Sequence, residues 1–194
     1  MLKIIKLFFL SMLLTLLANQ ALARTAEAIF AGGNFWRLAA DFNKMNGVLM
    51  TVTGFDGGKS KNPTYQEVAA GNTGYAEAVR VIYNPDKVSY KQIVDYFWQH
   101  IDPTTDNAQF CDIGPQYRTA IFYLNPQQKA IALESKRSIL KRFPNIFTAI
   151  TASTQFYAAE GSQQDFHRNH PLRYKYYIYR CGHNARLAEI WKQN

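Results

Sequence analysis

Ala28-Ile29-Phe30-Ala31-Gly32-Gly33-Asn34-Phe35-Trp36 is the stretch on which the reading of this chain turns. Four apolar residues run into paired glycines, and two aromatic residues follow the asparagine. Ala28 to Ala31 suits the end of a short strand. A helix is expected from Phe35 to Lys44, because Phe35, Leu38, Phe42 and Met45 share one face. Asn34 then reads as the N-cap, its side chain accepting a hydrogen bond from a following amide. A strand–glycine–helix turn exposes the first helical amides, whose partial positive charge favours an anion.

Strands and helices alternate on either side of this turn. Val48 to Thr53 reads as a second strand, Gly54 to Asn62 as a loop, and Tyr65 to Ala69 as a helical turn. Tyr75 to Tyr83 is the best-defined strand and stops at Asn84-Pro85. Ser89 caps a helix running to His100, with Tyr90, Ile93, Val94 and Phe97 inward. Ile101 to Gln116 reads as a long polar loop and Arg118 to Leu124 as a strand. Asn125 caps a helix lasting to about Arg142, with Pro126 at its first position and Gln128 as capping-box partner. A strand at Ile146 to Ser153, a short helix near Ser162 to Arg168, an aromatic and basic tail, and a last helix at Ala185 to Lys192 complete the chain. This order predicts an α/β (α+β) fold: a mixed sheet in a ferredoxin-like two-layer plait, with extra helices and a long C-terminal tail.

Residues 1–23 read as a signal peptide. Lys3 and Lys6 precede a largely apolar run from Leu7 to Ala18, and Ala21-Leu22-Ala23 is a small-x-small cleavage site. That run is shorter than the roughly 18–20 residues that span a bilayer, so no stable membrane span is expected. Export to the periplasm or outside the cell follows, leaving 24–194 as one domain, expected as a monomer. Without Lys3 and Lys6, 20 basic residues face 14 acidic ones, a net charge of about +6. The basic residues are dispersed apart from Lys136-Arg137 with Lys141-Arg142 and the stretch Arg168 to Arg180, and no nucleic-acid motif accompanies them, so a solvated basic surface is expected and no nucleic-acid partner. Cys111 and Cys181 permit one internal disulfide, and no CxxC or HExxH spacing points to a metal.

Glu77 lies in phase with Val79, Val81 and Tyr83 on its strand. That places it inward, where desolvation raises a carboxyl pKa and leaves a protonated donor. Periodicity alone also fits a glutamate at the surface end of a strand. Phe35 and Trp36, taken alone, read as core aromatics, Asp112 as a loop-capping residue, and Tyr65 and Tyr117 as packing residues.

Gly32-Gly33-Asn34-Phe35-Trp36, Asn62-Pro63-Thr64-Tyr65-Gln66-Glu67-Val68, Gly71-Asn72-Thr73-Gly74-Tyr75-Ala76-Glu77 and Asp112-Ile113-Gly114-Pro115-Gln116-Tyr117-Arg118 together resemble the methionine sulfoxide reductase A family. The resemblance runs from about Ile29 to Trp191 and implies the same plait. It also implies roles: Phe35 and Trp36 hold the S-methyl group of methionine sulfoxide, Glu77 is the acid, and Asp112, Tyr65 and Tyr117 hold the sulfoxide oxygen and its water network. In the family a cysteine thiolate attacks the sulfoxide sulfur, a second cysteine resolves the sulfenic acid as a disulfide, and a thioredoxin-like or other thiol donor reduces it. No further cofactor is implied.

Asn34 stands where the family motif has its nucleophilic cysteine, and a carboxamide does not attack sulfur. Arg37, Ala39 and Tyr75 depart from the family pattern nearby. The resemblance therefore implies a pseudoenzyme that binds methionine sulfoxide, free or in proteins. Two alternatives stand beside it: a reductase using Cys111 with Cys181 resolving, and a structural or interaction protein keeping only the fold. Cys111 and Cys181 are open to a disulfide, to a buried free pair, or to redox duty.

Overall fold

The structure, a computed structural model, describes residues 24–192. The expected signal peptide at 1–23 lies outside the described residues. The elements are β1 (Ala26–Gly32), α1 (Phe35–Phe42), β2 (Val48–Asp56), α2 (Tyr65–Ala69), β3 (Ala76–Tyr83), α3 (Tyr90–Gln99), β4 (Ala108–Gln109), β5 (Asp112–Ile113), β6 (Thr119–Tyr123), α4 (Pro126–Leu140), β7 (Ala149–Ala152), β8 (Tyr157–Ala158), α5 (Phe166–Asn169), α6 (Pro171–Arg180) and α7 (His183–Trp191).

The main sheet has the order β7-β6-β1-β3-β2-β8. Its four central strands are antiparallel and carry the β-α-β-β-α-β plait, while β7 adds in parallel to β6 and β8 in antiparallel to β2. The sheet is mixed, as expected from the sequence.

Strand alternation divides two unequal cores. Ala28 and Phe30 of β1 join Val79 and Val81 of β3 on the face that α1 and α3 cover. The Phe30 ring lies 4.9 Å from that of Phe97 and 5.1 Å from that of Phe42, centroid to centroid. Burying such a side chain contributes about 1.5–3 kcal/mol. The opposite face is thin: Ile29, Ala31, Ala76, Ala78, Ala120 and Phe122 pack with Phe156.

The caps explain where helices begin. Ser89 and Gln92 form a capping box on α3, and Thr64 and Glu67 form another on α2. Asn125 accepts from the Gln128 amide as predicted, but the Gln128 side chain accepts from Leu124 and donates to Glu27 O on β1. The expected box is thus opened to tie α4 to the sheet.

Three expectations need correction. Ile101 to Gln116 is not all loop, since β4 and β5 pair within it and a 3₁₀ turn, Pro115–Tyr117, follows. The helix expected at Ser162 to Arg168 is split into a 3₁₀ turn, Gly161–Gln163, and α5, with Asp165 between them in left-handed backbone. The tail contains a further helix, α6, which local pattern did not reveal. No helix among the described residues is long and apolar enough to cross a membrane.

Candidate active site

The turn between β1 and α1 sets the geometry. Gly33 has a φ of +81°, and a Cβ there would come 2.6 Å from Gln109 Cβ. Gln109 cannot easily yield, because its amide bonds Asp102 N at 2.9 Å and Asp102 O at 2.7 Å. Only glycine fits both demands. Asn34 follows, buried, and its Oδ1 accepts from Trp36 N at 2.9 Å. The expected cap is present.

The neighbouring amide has a different partner. Phe35 N donates to Glu77 Oε2 at 3.0 Å, so β3 delivers a carboxyl to the first turn of α1. Glu77 is fully buried, and its other oxygen, Oε1, has no hydrogen-bond partner. Burial pushes its pKa up to about 8; the Phe35 amide opposes that rise and the Asp112 charge adds to it. Near neutral pH the carboxyl is therefore mainly protonated.

Aromatic rings surround this carboxyl. Phe35 is buried, with its centroid 5.8 Å from Tyr65 and 5.9 Å from Phe55. Trp36 is the one residue of α1 not fully buried, and its ring lies 6.1 Å from Tyr65. Burial and the charges of Glu77, Tyr117 and Asp112 hold the Tyr65 phenol above its usual range. Burial, Glu77 and Asp112 likewise push Tyr117 up to about 12. The structure brings Phe35, Trp36, Tyr65, Glu77, Asp112 and Tyr117 together around the Asn34 end of α1.

Asp112 opens β5, directly after Cys111. Cys111 and Cys181 are joined by a disulfide with Cα atoms 4.9 Å apart. Burial raises the Asp112 pKa, against the lowering effects of a Tyr177 hydrogen bond and the Arg37 charge.

Several contributors were not anticipated from sequence. Tyr177 Oη donates to Asp112 Oδ2. Phe166 stacks on Trp36 with centroids 3.8 Å apart and planes 8° from parallel. Gln163 Oε1 accepts from the Trp36 indole at 3.1 Å, and Glu160 Oε1 accepts from Tyr65 N at 2.9 Å. Gln163 and Phe166 lie in the helix expected near Ser162 to Arg168 and Tyr177 in the aromatic tail, but neither reading placed them at the site.

The departures at Arg37 and Tyr75 are structural fittings. Arg37 is buried and donates to Asp41 Oδ2 and Gly32 O, each at 2.8 Å, while lying over the Phe110 ring. It braces the turn that holds Asn34. Tyr75 Oη donates to Ser60 O, closing the loop after β2. Ala39 is buried in the core. Among the described residues, no group of three or more His, Cys, Asp or Glu side chains is placed to hold a metal.

Comparison with known proteins gives this arrangement a context. The sequence profile of the family described as peptide methionine sulfoxide reductase matches residues 26–194. Peptide methionine sulfoxide reductase MsrA of Bacillus licheniformis is 41% identical over 168 residues, spanning 84% of this chain and 92% of its own. Among solved structures, methionine sulfoxide reductase A of Corynebacterium diphtheriae has a TM-score of 0.74 at 31% identity and covers 76% of each chain. Mxr1 of Saccharomyces cerevisiae in reduced form has a TM-score of 0.73 at 28% identity, covering 78% of this chain and 88% of its own. The same yeast protein is also known in complex with Trx2, where 20% identity, a TM-score of 0.54 and coverage of 75% and 86% show likeness of fold alone. With most of its length matched by the profile and by relatives at this identity, the chain belongs to the peptide methionine sulfoxide reductase family.

Proposed function

We propose that this protein recognises methionine S-sulfoxide, free or in exposed peptide segments, with catalysis lost or strongly reduced at Asn34. The observation that carries the reading is the commitment of Asn34 Oδ1 to the Trp36 amide, beside a buried Glu77 and the Phe35–Trp36–Tyr65 rings. Glu77, with its raised pKa, is a donor suited to a sulfoxide oxygen, and Tyr65, Tyr117 and Asp112 share its surroundings. Sulfur–aromatic contacts of about 0.3–1.5 kcal/mol favour the methyl sulfoxide end in the ring cluster. Export of 24–194 as a single domain to the periplasm or outside, after removal of 1–23, belongs to the same reading.

One observation favours a second reading. The Cys111–Cys181 disulfide is what turnover would leave if Cys111 attacked the sulfoxide and Cys181 resolved it. One sulfoxide and two thiols would then give a thioether, a disulfide and water, and a thioredoxin-like donor would restore the thiols.

A paired assay separates the two. The unaltered chain and Asn34→Cys are mixed with dithiothreitol and a methionine S-sulfoxide peptide, and thioether is measured. Turnover gained only by Asn34→Cys supports the first reading. Turnover by the unaltered chain that vanishes in Cys111→Ser overturns it in favour of the second.

A further inference from the structure

We propose that Tyr177 occupies the place a sulfoxide would need, and that the Cys111–Cys181 bond holds it there as a redox latch. The inference rests on the sulfoxide-binding reading and adds how that site is opened.

Two links tie the same turn of α6 to the same corner of the β4–β5 hairpin. Tyr177 and Cys181 are one helical turn apart, with Cys181 N donating to Tyr177 O at 3.0 Å. Their partners, Asp112 and Cys111, are adjacent in the chain. Tyr177 thereby claims the carboxylate of Asp112, and its ring meets the Trp36 edge at 6.4 Å and 85°. Phe166 covers the Trp36 face. Glu77 Oε1 is buried without a partner, close enough to Tyr177 for its charge to be felt there. A ligand oxygen bound for Glu77 and Asp112 meets a closed site.

Apart from the disulfide, α6 is held by a few side-chain contacts, Arg173 over the Phe166 ring and Tyr174 against His167 among them. None of its residues is fully buried, and Leu172, Tyr176 and Tyr179 face solvent. Its inward contacts include the Tyr177 ring against His183, itself packed on Phe110. Segments with few buried apolar contacts open first. A dithiol donor delivers two electrons and two protons to the cystine, the S–S bond breaks to two thiols, and the donor becomes a cyclic disulfide. Tyr177 then keeps only its hydrogen bond and ring contacts.

The test uses the protein labelled with 3-fluorotyrosine, with Tyr177→Phe assigning the resonance, and a blocked methionine S-sulfoxide amide as probe. The Tyr177 fluorine line should move towards the solvent-exposed position on adding dithiothreitol, and in Cys181→Ser without it. A line unchanged in both overturns the latch, whatever the probe does. In calorimetry, the bridged protein should bind the probe about tenfold more weakly than the reduced protein or bridged Tyr177→Ala, a ratio equivalent to about 1.4 kcal/mol. Equal affinities in all three overturn the latch while the sulfoxide-binding reading stands. A moving line with no binding in any form confirms the tether and rejects the sulfoxide-binding reading instead.

Discussion

Glu77 Oε2 and the Phe35 amide nitrogen are 3.0 Å apart, joining the middle strand of the plait to the first turn of α1. This contact holds one carboxyl oxygen still and leaves the other free to act as a donor. Replacing Glu77 by Met fills similar space and removes both carboxyl oxygens, and with them the donor. Affinity of the reduced protein for a methionine sulfoxide peptide should fall by about 1.5 kcal/mol, the scale of one hydrogen bond. Calorimetry showing no change would reject Glu77 as the oxygen's partner.

The same carboxyl makes stability depend on pH. Its folded pKa of about 8 lies above the ordinary value of 4.5, so between them the folded state holds a proton that the unfolded state releases. The stabilisation is complete below the unfolded value and is lost as pH rises through the folded one. Stability should decline by about 1.4 kcal/mol per pH unit from this group across that window. Urea unfolding at several pH values should show a flatter profile for Glu77→Gln. Parallel profiles would contradict the assignment.

Gly33→Ala combines left-handed backbone with a Cβ placed 2.6 Å from Gln109 Cβ. The backbone term alone is about 1–2 kcal/mol, and the clash adds to it. A melting point lowered by several degrees is expected, and one within a degree of the parent would show that the turn can relax.

Arg37→Met removes the guanidinium from Asp41 and from Gly32 O. Breaking a buried pair costs about 3–5 kcal/mol. Asp41 retains Lys44 at 2.9 Å, which places the loss at the lower end of that range. Chemical denaturation gives the value, and a change under about 1 kcal/mol would show that Arg37 is not a brace.

Much of the site was legible because its determinants are local. The glycine pair, the asparagine cap and the aromatic helix face lie within a dozen residues, whereas for Glu77 period-two alternation left a surface position open and the family resemblance favoured the inward one. Helix α6 was not legible for the opposite reason. Its N-cap residue, His170, makes no side-chain cap bond, and none of its residues is fully buried. Tyr177 finds Asp112 sixty-five residues away, a pairing that no local pattern encodes. The β4–β5 hairpin was hidden similarly, since it depends on left-handed backbone at Asn107 and Phe110, neither of them glycine. Arg37 was visible as a departure, but its acceptor at Gly32 O exists only once the turn has formed.

The strands that flank the plait are short: β8 contributes two residues against Gly54 and Phe55, and β7 contributes four. Long, flat rims are templates on which a second chain adds a ladder and from which fibrils grow. Here β7 offers a margin of only four residues, and on the other side β8 and the Gln164 side chain cover Thr53 to Phe55 of β2. Self-association through strand addition is thereby discouraged at the β7 border and at the Thr53–Phe55 end of β2, which leaves the Val48–Val52 stretch, among the described residues, as the one place where an added strand would find a free ladder.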